Sequence, residues 1–318
     1  MKGEKRMVMR RKAFVKMMSG MLVVSLLAGC KSAAVNPSNS DRRSSSKQEV
    51  TKAQKQEQEQ EPEVSLIDEK GNTLAERICV PKDYRRTKEK ADSLGTFLRN
   101  YAVLPDQSPI LLYDGNEKDS GNAACVFNMH LGKKDLQQCA DSVIRVYAEY
   151  MRASGRENRI LFHFVNGFAC DWKSYKSGRR IGVNGNRVFW KGGGAASGSD
   201  ASFESYLETV FSYASTLSLE KESKPVKTKD IRIGDIFIKG GSPGHVVMVV
   251  DTCEHNGKKA FLLAQGYMPA QQFHVLKNNA HEEDPWYYED EVVYPFRTPE
   301  YTFYDKCLMR PEYLSKED

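Results

Sequence analysis

Residues 233–251, IGDIFIKGGSPGHVVMVVD, read as two β-strands joined by a turn rich in Gly and Pro. The first strand is Asp235-Ile236-Phe237-Ile238, directly after Gly234. The second is the apolar run Val246-Val247-Met248-Val249-Val250, opened by His245. Short apolar runs bounded by Gly and Pro fit strands buried in a sheet. Phe261-Leu262-Leu263-Ala264-Gln265 gives a third strand, and Asn256-Gly257 between them marks a hairpin. Two polar residues interrupt this apolar pattern. His245 sits at the mouth of one strand, and Gln265 ends its neighbour. Residues on adjacent antiparallel strands lie side by side, so Gln265 is expected to hold one imidazole nitrogen and fix the tautomer. The other nitrogen then faces a nucleophile, giving a base with its orienting partner.

Upstream, helices and strands alternate. Leu136, Cys139/Ala140, Val143, Tyr147 and Tyr150/Met151 recur at helical spacing after Asp135, a good N-cap. Phe203, Tyr206/Leu207, Val210/Phe211, Ala214 and Leu217 form a second apolar stripe, capped by Asp200 or Ser202. Leu94 to Tyr101 reads as a short helix, and residues 171–177 as one or two helical turns. Ile78 to Val80, Ile110 to Tyr113, Ala123 to Leu131 and Ile160 to Val165 read as strands, and Val183 to Val188 as a hairpin turning at Asn-Gly. Helices packed on an antiparallel sheet define an α+β domain.

Two cysteines are candidates for the nucleophile. Cys139 follows Gln137-Gln138 in the first turns of a helix, where free N–H groups and the helix dipole favour a thiolate. It also lies on the apolar stripe, which suits a small core residue equally well. Cys170 precedes Asp171-Trp172 at a strand-to-helix turn, a place that equally suits a buried or disulfide cysteine. Beyond Cys30 the chain has six cysteines, which allow 15 full pairings that sequence does not choose between. No CxxC and no tight Cys/His cluster suggests zinc. His281-Glu282-Glu283-Asp284 reads as an exposed acidic turn. Gly192-Gly193-Gly194 sits in a small-residue loop and not in a phosphate-binding turn after a strand. Neither a metal nor a cofactor is expected.

The Gly-Asp strand followed by the Gly-His strand, residues 231–265, resembles the second half of papain-like cell-wall hydrolases of the NlpC and CHAP type. That resemblance implies a papain-like antiparallel sheet packed with helices. It also implies a cysteine at a helix N-terminus, the histidine of the second strand (His245) and a polar residue on the next (Gln265). In those enzymes the cysteine starts a helix shortly before the Gly-Asp strand, a place held here by Ser202. The alternatives are therefore a catalytic set drawn from farther upstream, with Cys139 preferred, or a relative without the nucleophile. Tyr267-Met268-Pro269-Ala270 after Gln265 reads as a pocket wall or as a turn fixed by Pro. Over roughly residues 75–305, DLQQCADSVIRVYAEYM, GFACDWKSYKSGRRI, VFSYASTLSLEKE and FLLAQGYMPAQQFHVLKN resemble the uncharacterised bacterial family DUF4846. This second resemblance implies an exported, often lipid-anchored protein and brings no activity or catalytic residues with it.

The N-terminus agrees with export. Met1 to Lys16 carries seven bases against Glu4, Met17 to Leu26 is mostly apolar, and Leu27-Ala28-Gly29-Cys30 follows. A basic start, a short apolar run and a small-residue site define a secretory signal. The run falls short of the ~20 residues a spanning helix needs. Leu-Ala-Gly-Cys resembles the bacterial lipobox, in which the cysteine takes a diacylglyceryl group and becomes the mature N-terminus. Residues 1–29 carry +6 against +5 for the whole chain, leaving −1 for the rest, so the basic balance gives no reason to expect a nucleic-acid partner. Residues 30–63, which after Cys30 contain no Leu, Ile, Met or aromatic residue, read as a disordered, lipidated tether. Residues 64–318 form one α+β domain. Lys31 is not the aspartate associated with inner-membrane retention in some bacteria, which favours the outer membrane.

The expectation is a lipid-anchored envelope protein, attached to the membrane through Cys30. It acts as a thiol hydrolase on peptide or amide bonds such as peptidoglycan stem peptides. The alternative is a non-catalytic module that binds an envelope peptide or glycan. Cys30→Ala should leave the protein unlipidated at its signal-bearing mass. Metabolic labelling with a fatty-acid analogue checks this, and normal lipid incorporation by the variant refutes the anchor.

Overall fold

The run opened by His245 becomes the spine of the structure. In the computed structural model, which describes residues 65–118 and 121–314, it is an 11-residue strand, His245–His255. The expected signal, Cys30 and the tether lie outside the described residues. Among the described residues the main sheet has nine strands. Seven run in the order Ala123–Val126, His274–Leu276, Lys258–Gln265, His245–His255, Ile236–Lys239, Leu308–Pro311, Ser223–Pro225. Arg85–Arg86 pairs with the far end of the His245 strand, and Tyr287–Tyr288 with the Lys258–Gln265 strand. All of these pairings are antiparallel. The three expected strands from Gly234 to Gln265 are therefore adjacent, and the central one is buried from His245 to Cys253.

The helices are α1 (Leu74–Arg77), α2 (Leu94–Arg99), α3 (Cys139–Ala153), α4 (Trp172–Lys176), α5 (Asp200–Tyr213) and α6 (Thr216–Lys221). α3 packs on the His245 strand and its neighbour, while α2, α5 and α6 pack against α3. This explains why α3 is buried well beyond the apolar stripe read from sequence. Val143, Ile144, Val146, Tyr147, Ala148, Tyr150 and Met151 are all buried, and so is Arg145. Each large apolar side chain taken out of water contributes about 1.5–3 kcal/mol. Arg145 is satisfied by Gln137 Oε1 at 2.5 Å, Glu149 Oε1 at 3.1 Å and both Glu204 oxygens at 2.9 and 2.6 Å.

Several local expectations change. Asp135 does not cap α3. Its carboxylate accepts from Gln138 Nε2 at 3.0 Å and from Ala270 N at 2.8 Å, so the cap passes to Gln138. Cys139 consequently becomes the first residue of the helix. α5 is capped by Ser199, whose hydroxyl accepts from Ser202 N, and not by Asp200 or Ser202. Leu217 leaves that helix: the chain is extended at Ala214, and Ser215 caps α6. Ile78–Val80 is no strand, because Thr73 and Glu76 cap α1 up to Arg77 and leave Ile78 in an isolated bridge with Ile67. The Ala123–Leu131 strand stops at Val126.

The Gly-Asp pair of the motif is structural. Gly234 has φ +91°, and a Cβ there would meet Leu314 Cδ1 at 2.5 Å and Leu94 Cδ2 at 2.8 Å. Asp235 accepts from Arg310 Nε at 2.7 Å and from Arg232 N at 2.9 Å. Asp251, farther along the central strand, is fully buried between Arg86 Nε and Arg99 Nε, each at 2.7 Å. Removing one member of such a buried set leaves charge uncompensated. Asp251→Ala should therefore lower stability by about 3–5 kcal/mol, read as a lower urea midpoint at unchanged slope. A loss below about 1 kcal/mol refutes the buried-pair account.

Candidate functional site

His245 opens the central strand and is only 2 % exposed. Its Nε2 lies 2.7 Å from Gln265 Oε1. An amide oxygen accepts only, so Nε2–H donates. The pairing of Met248 with Ala264 sets Val247 beside Gln265, and His245 thus reaches the amide diagonally. The ring is packed between Tyr267, at 4.7 Å between centroids, and Tyr301 at 4.9 Å, with Phe303 at 6.1 Å. Tyr267, at the head of the segment read as a pocket wall or a turn, thus packs directly on the histidine. Ala270 N donates to Asp135, tying the same loop to the approach to α3.

Cys139 is the first residue of α3. The backbone N–H groups of Ala140, Val246 and Cys139 itself reach its thiol, and Val246 is the residue after His245. The thiol also lies close enough to Tyr267 and Tyr301 to act on their ionisation. Gly266, just past Gln265, allows this approach. A Cβ there would stand 2.3 Å from Ser142 Oγ and 3.1 Å from the Gln138 carbonyl oxygen. The start of α3 therefore rests on the two strand ends, and Cys139, His245 and Gln265 share one neighbourhood.

The electrostatics differ from the expected thiolate. Burial pushes the Cys139 thiol up to about 11, Asp141 adds to this, and the N–H groups oppose it. Burial pulls His245 down to about 4, against the Gln265 hydrogen bond and the charge of Glu300, which favour its protonated form. At neutral pH both the Cys139 thiol and the His245 imidazole rest uncharged. The helix N-terminus does not outweigh desolvation here. An imidazole with its proton on Nε2 keeps Nδ1 as the basic nitrogen, able to take a thiol proton during attack.

The other nucleophile candidates lie elsewhere. Cys170 stands opposite Phe162 in the two-stranded sheet Leu161–His163/Ala169–Asp171 and is fully buried. Burial, then Asp171, raises its thiol. Its carbonyl accepts from Tyr206 OH at 2.9 Å, so it serves the core. Ser202 lies in the first turn of α5, which packs on α3 and α4. Among the described residues all six cysteines are free. His281 pairs its Nε2 with Glu291 at 2.9 Å. No helix among the described residues is long and apolar enough to cross a membrane.

Sequence reading missed Tyr301, Glu300 and Lys118. Gln265 Nε2 donates to Glu300 Oε2 at 3.1 Å, and Lys118 Nζ meets both Glu300 oxygens at 2.7 Å. Each sits in a short hairpin far from the motif in the chain, so no local pattern marks them.

Fold and site define an α+β protein with a buried His245–Gln265 pair on an antiparallel sheet, the cysteine-led start of α3 packed against the ends of the same strands. Residues 74–310 match the family described as domain of unknown function 4846 (DUF4846), and the chain belongs to that family. No curated protein and no solved structure matches it.

The depressed histidine has a consequence for stability. Between about pH 4 and 6.5 the unfolded chain binds a proton at this position that the folded chain refuses. Stability from His245 is therefore complete above pH 6.5 and lost as pH falls through that window. His274, also fully buried and pulled down to about 4 chiefly by burial, acts in the same direction. The urea midpoint should drop from pH 6.5 to 4, less steeply in His245→Gln. A titration of the His245 ring near 6.5 by NMR refutes the assignment.

Proposed function

We propose that this protein is a papain-like thiol hydrolase acting on peptide or amide bonds of the bacterial cell envelope. It is held to a membrane by lipid on Cys30, with the outer membrane favoured. The observation that carries the reading is the hydrogen bond from His245 Nε2 to Gln265 at the point where Val246 N–H meets the Cys139 thiol. Cys139 is the nucleophile. His245 Nδ1 takes the thiol proton as sulfur attacks the carbonyl carbon, and the same proton passes to the leaving amine. Water then attacks the acyl-enzyme, His245 again accepting a proton, and the thiol is restored. The Cys139 and Ala140 N–H groups, which reach the thiol at rest, are the donors that would stabilise the oxyanion. Because thiol and imidazole are both neutral at rest, His245 acts as a general base and not as half of a preformed ion pair.

One observation favours a second reading. Cys139 is 7 % exposed and His245 2 %, and burial moves both away from the charged forms. A non-catalytic module binding an envelope peptide or glycan is compatible with such a closed site.

The test is release of new amino groups from peptidoglycan sacculi and stem-peptide amides. Cys139→Ala and His245→Ala should lower turnover by on the order of 10³-fold or more, and Gln265→Ala by about 10–100-fold. Replacing the exposed Cys79 by Ala should change nothing. Equal turnover by wild type and Cys139→Ala excludes the hydrolase reading. Sacculus binding without amine release, the same in both, identifies the binding module.

A further inference from the structure

The amide of Gln265 faces a choice that His245 cannot make for it. Presented oxygen-first, it demands a proton on His245 Nε2. Presented nitrogen-first, it demands a lone pair there, which moves the proton to Nδ1. Only the first arrangement leaves Nδ1 basic. The imidazole and the amide satisfy each other either way, so a third group has to decide.

Glu300 is in position to do so. Phe296–Arg297 pairs with Thr302–Phe303 as a short hairpin. Thr298 closes its turn, with its N–H donating to the Tyr301 carbonyl at 2.9 Å and its hydroxyl accepting from Tyr301 N–H at 3.2 Å. This turn presents Tyr301 to the His245 ring and Glu300 to the Gln265 amide. Lys118 Nζ bridges the two Glu300 oxygens at 2.7 Å, and Asn122 Nδ2 donates to Oε1 at 3.3 Å. Lys118 comes from the hairpin Ile110–Leu111/Glu117–Lys118, which is docked beside the loop after Tyr267. Leu111 N donates to Gln272 Oε1 at 2.9 Å, and Tyr113 N to the Ala270 carbonyl at 2.9 Å. Two hairpins remote in sequence thus converge behind one amide. A carboxylate paired with an ammonium accepts and does not donate. It selects the NH2 end of Gln265 and turns Oε1 toward His245.

We propose that Glu300, held by Lys118, is a positioning residue that sets the His245 tautomer through Gln265, with the proton on Nε2 and the lone pair on Nδ1. Its catalytic consequence rests on the hydrolase reading, whereas the tautomer itself does not. Neither Glu300 nor Lys118 touches the reacting atoms.

The test reads the tautomer directly, by side-chain 15N shifts of His245 in the full chain near pH 7.5. Wild type should be in the Nε2–H form. Glu300→Gln puts an amide that both donates and accepts behind Gln265, so the ratio of Nε2–H to Nδ1–H should fall about tenfold or more. Lys118→Met should shift it in the same direction and serves as the second variant if Glu300→Gln does not fold. On any amide the wild type hydrolyses, Glu300→Gln should lower kcat by on the order of tenfold with KM within about twofold. An unchanged tautomer ratio in the folded variants overturns the proposal, whatever the activity. A shifted ratio in a protein that hydrolyses nothing supports the tautomer control and removes the hydrolase reading.

Discussion

The contact between the start of α3 and the paired ends of the His245 and Gln265 strands is the constraint from which the rest follows. It requires Gly266, because a side chain there would strike Ser142 and the Gln138 carbonyl. It also requires the cap at Gln138, which Asp135 permits because its carboxylate accepts from Ala270 N and Gln138 Nε2 instead of closing the helix early. Farther along α3, Tyr147 OH donates to the Gly234 carbonyl at 2.5 Å. The helix is thereby held at both the Gly-His and the Gly-Asp ends of the motif. Gly266 admits the start of α3 to the strand end, whereas Gly234 takes a positive φ with Leu314 and Leu94 packed where a side chain would stand.

That closeness sets the chemistry as much as the architecture. Burying the Cys139 thiol and the His245 imidazole disfavours charge on each, by the same desolvation. The site is neutral at rest, and the direction of any proton transfer depends on where the imidazole proton already sits. Hydrogen bonds of defined polarity then matter more than local charge. This is why an ion pair, Lys118 with Glu300, two residues removed from the histidine, is placed where it can bias the amide between them. The other buried carboxylates, Asp235 and Asp251, are clasped by arginines and hold the ends of strands, a structural task.

The motif residues were legible because their signals are local. An apolar run opened by a histidine, a neighbouring strand ended by an amide, and Asn-Gly between them are enough to place three adjacent antiparallel strands and the His245–Gln265 pair. Cys139 was ambiguous for a physical reason. A cysteine on an apolar stripe looks the same whether it fills a core or starts a helix, and the cap position that separates the two was settled by Ala270, 131 residues downstream of Cys139 in the chain. Ser202 held the expected nucleophile place by sequence order alone, and its helix packs chiefly on α4 and α3.

The sequence by itself therefore determined the strand triplet, the histidine with its orienting amide, and the α+β character of the domain, since periodicity and turn residues act over a few positions. Tertiary structure decided that α3 begins at Cys139 against the strand ends, that burial disfavours charge on both this thiol and His245, and that Glu300, Lys118 and Tyr301 surround the His245–Gln265 pair. Desolvation depends on everything packed around a group, and convergence of distant hairpins depends on the whole sheet. Neither leaves a mark on the residues next to His245 in the chain.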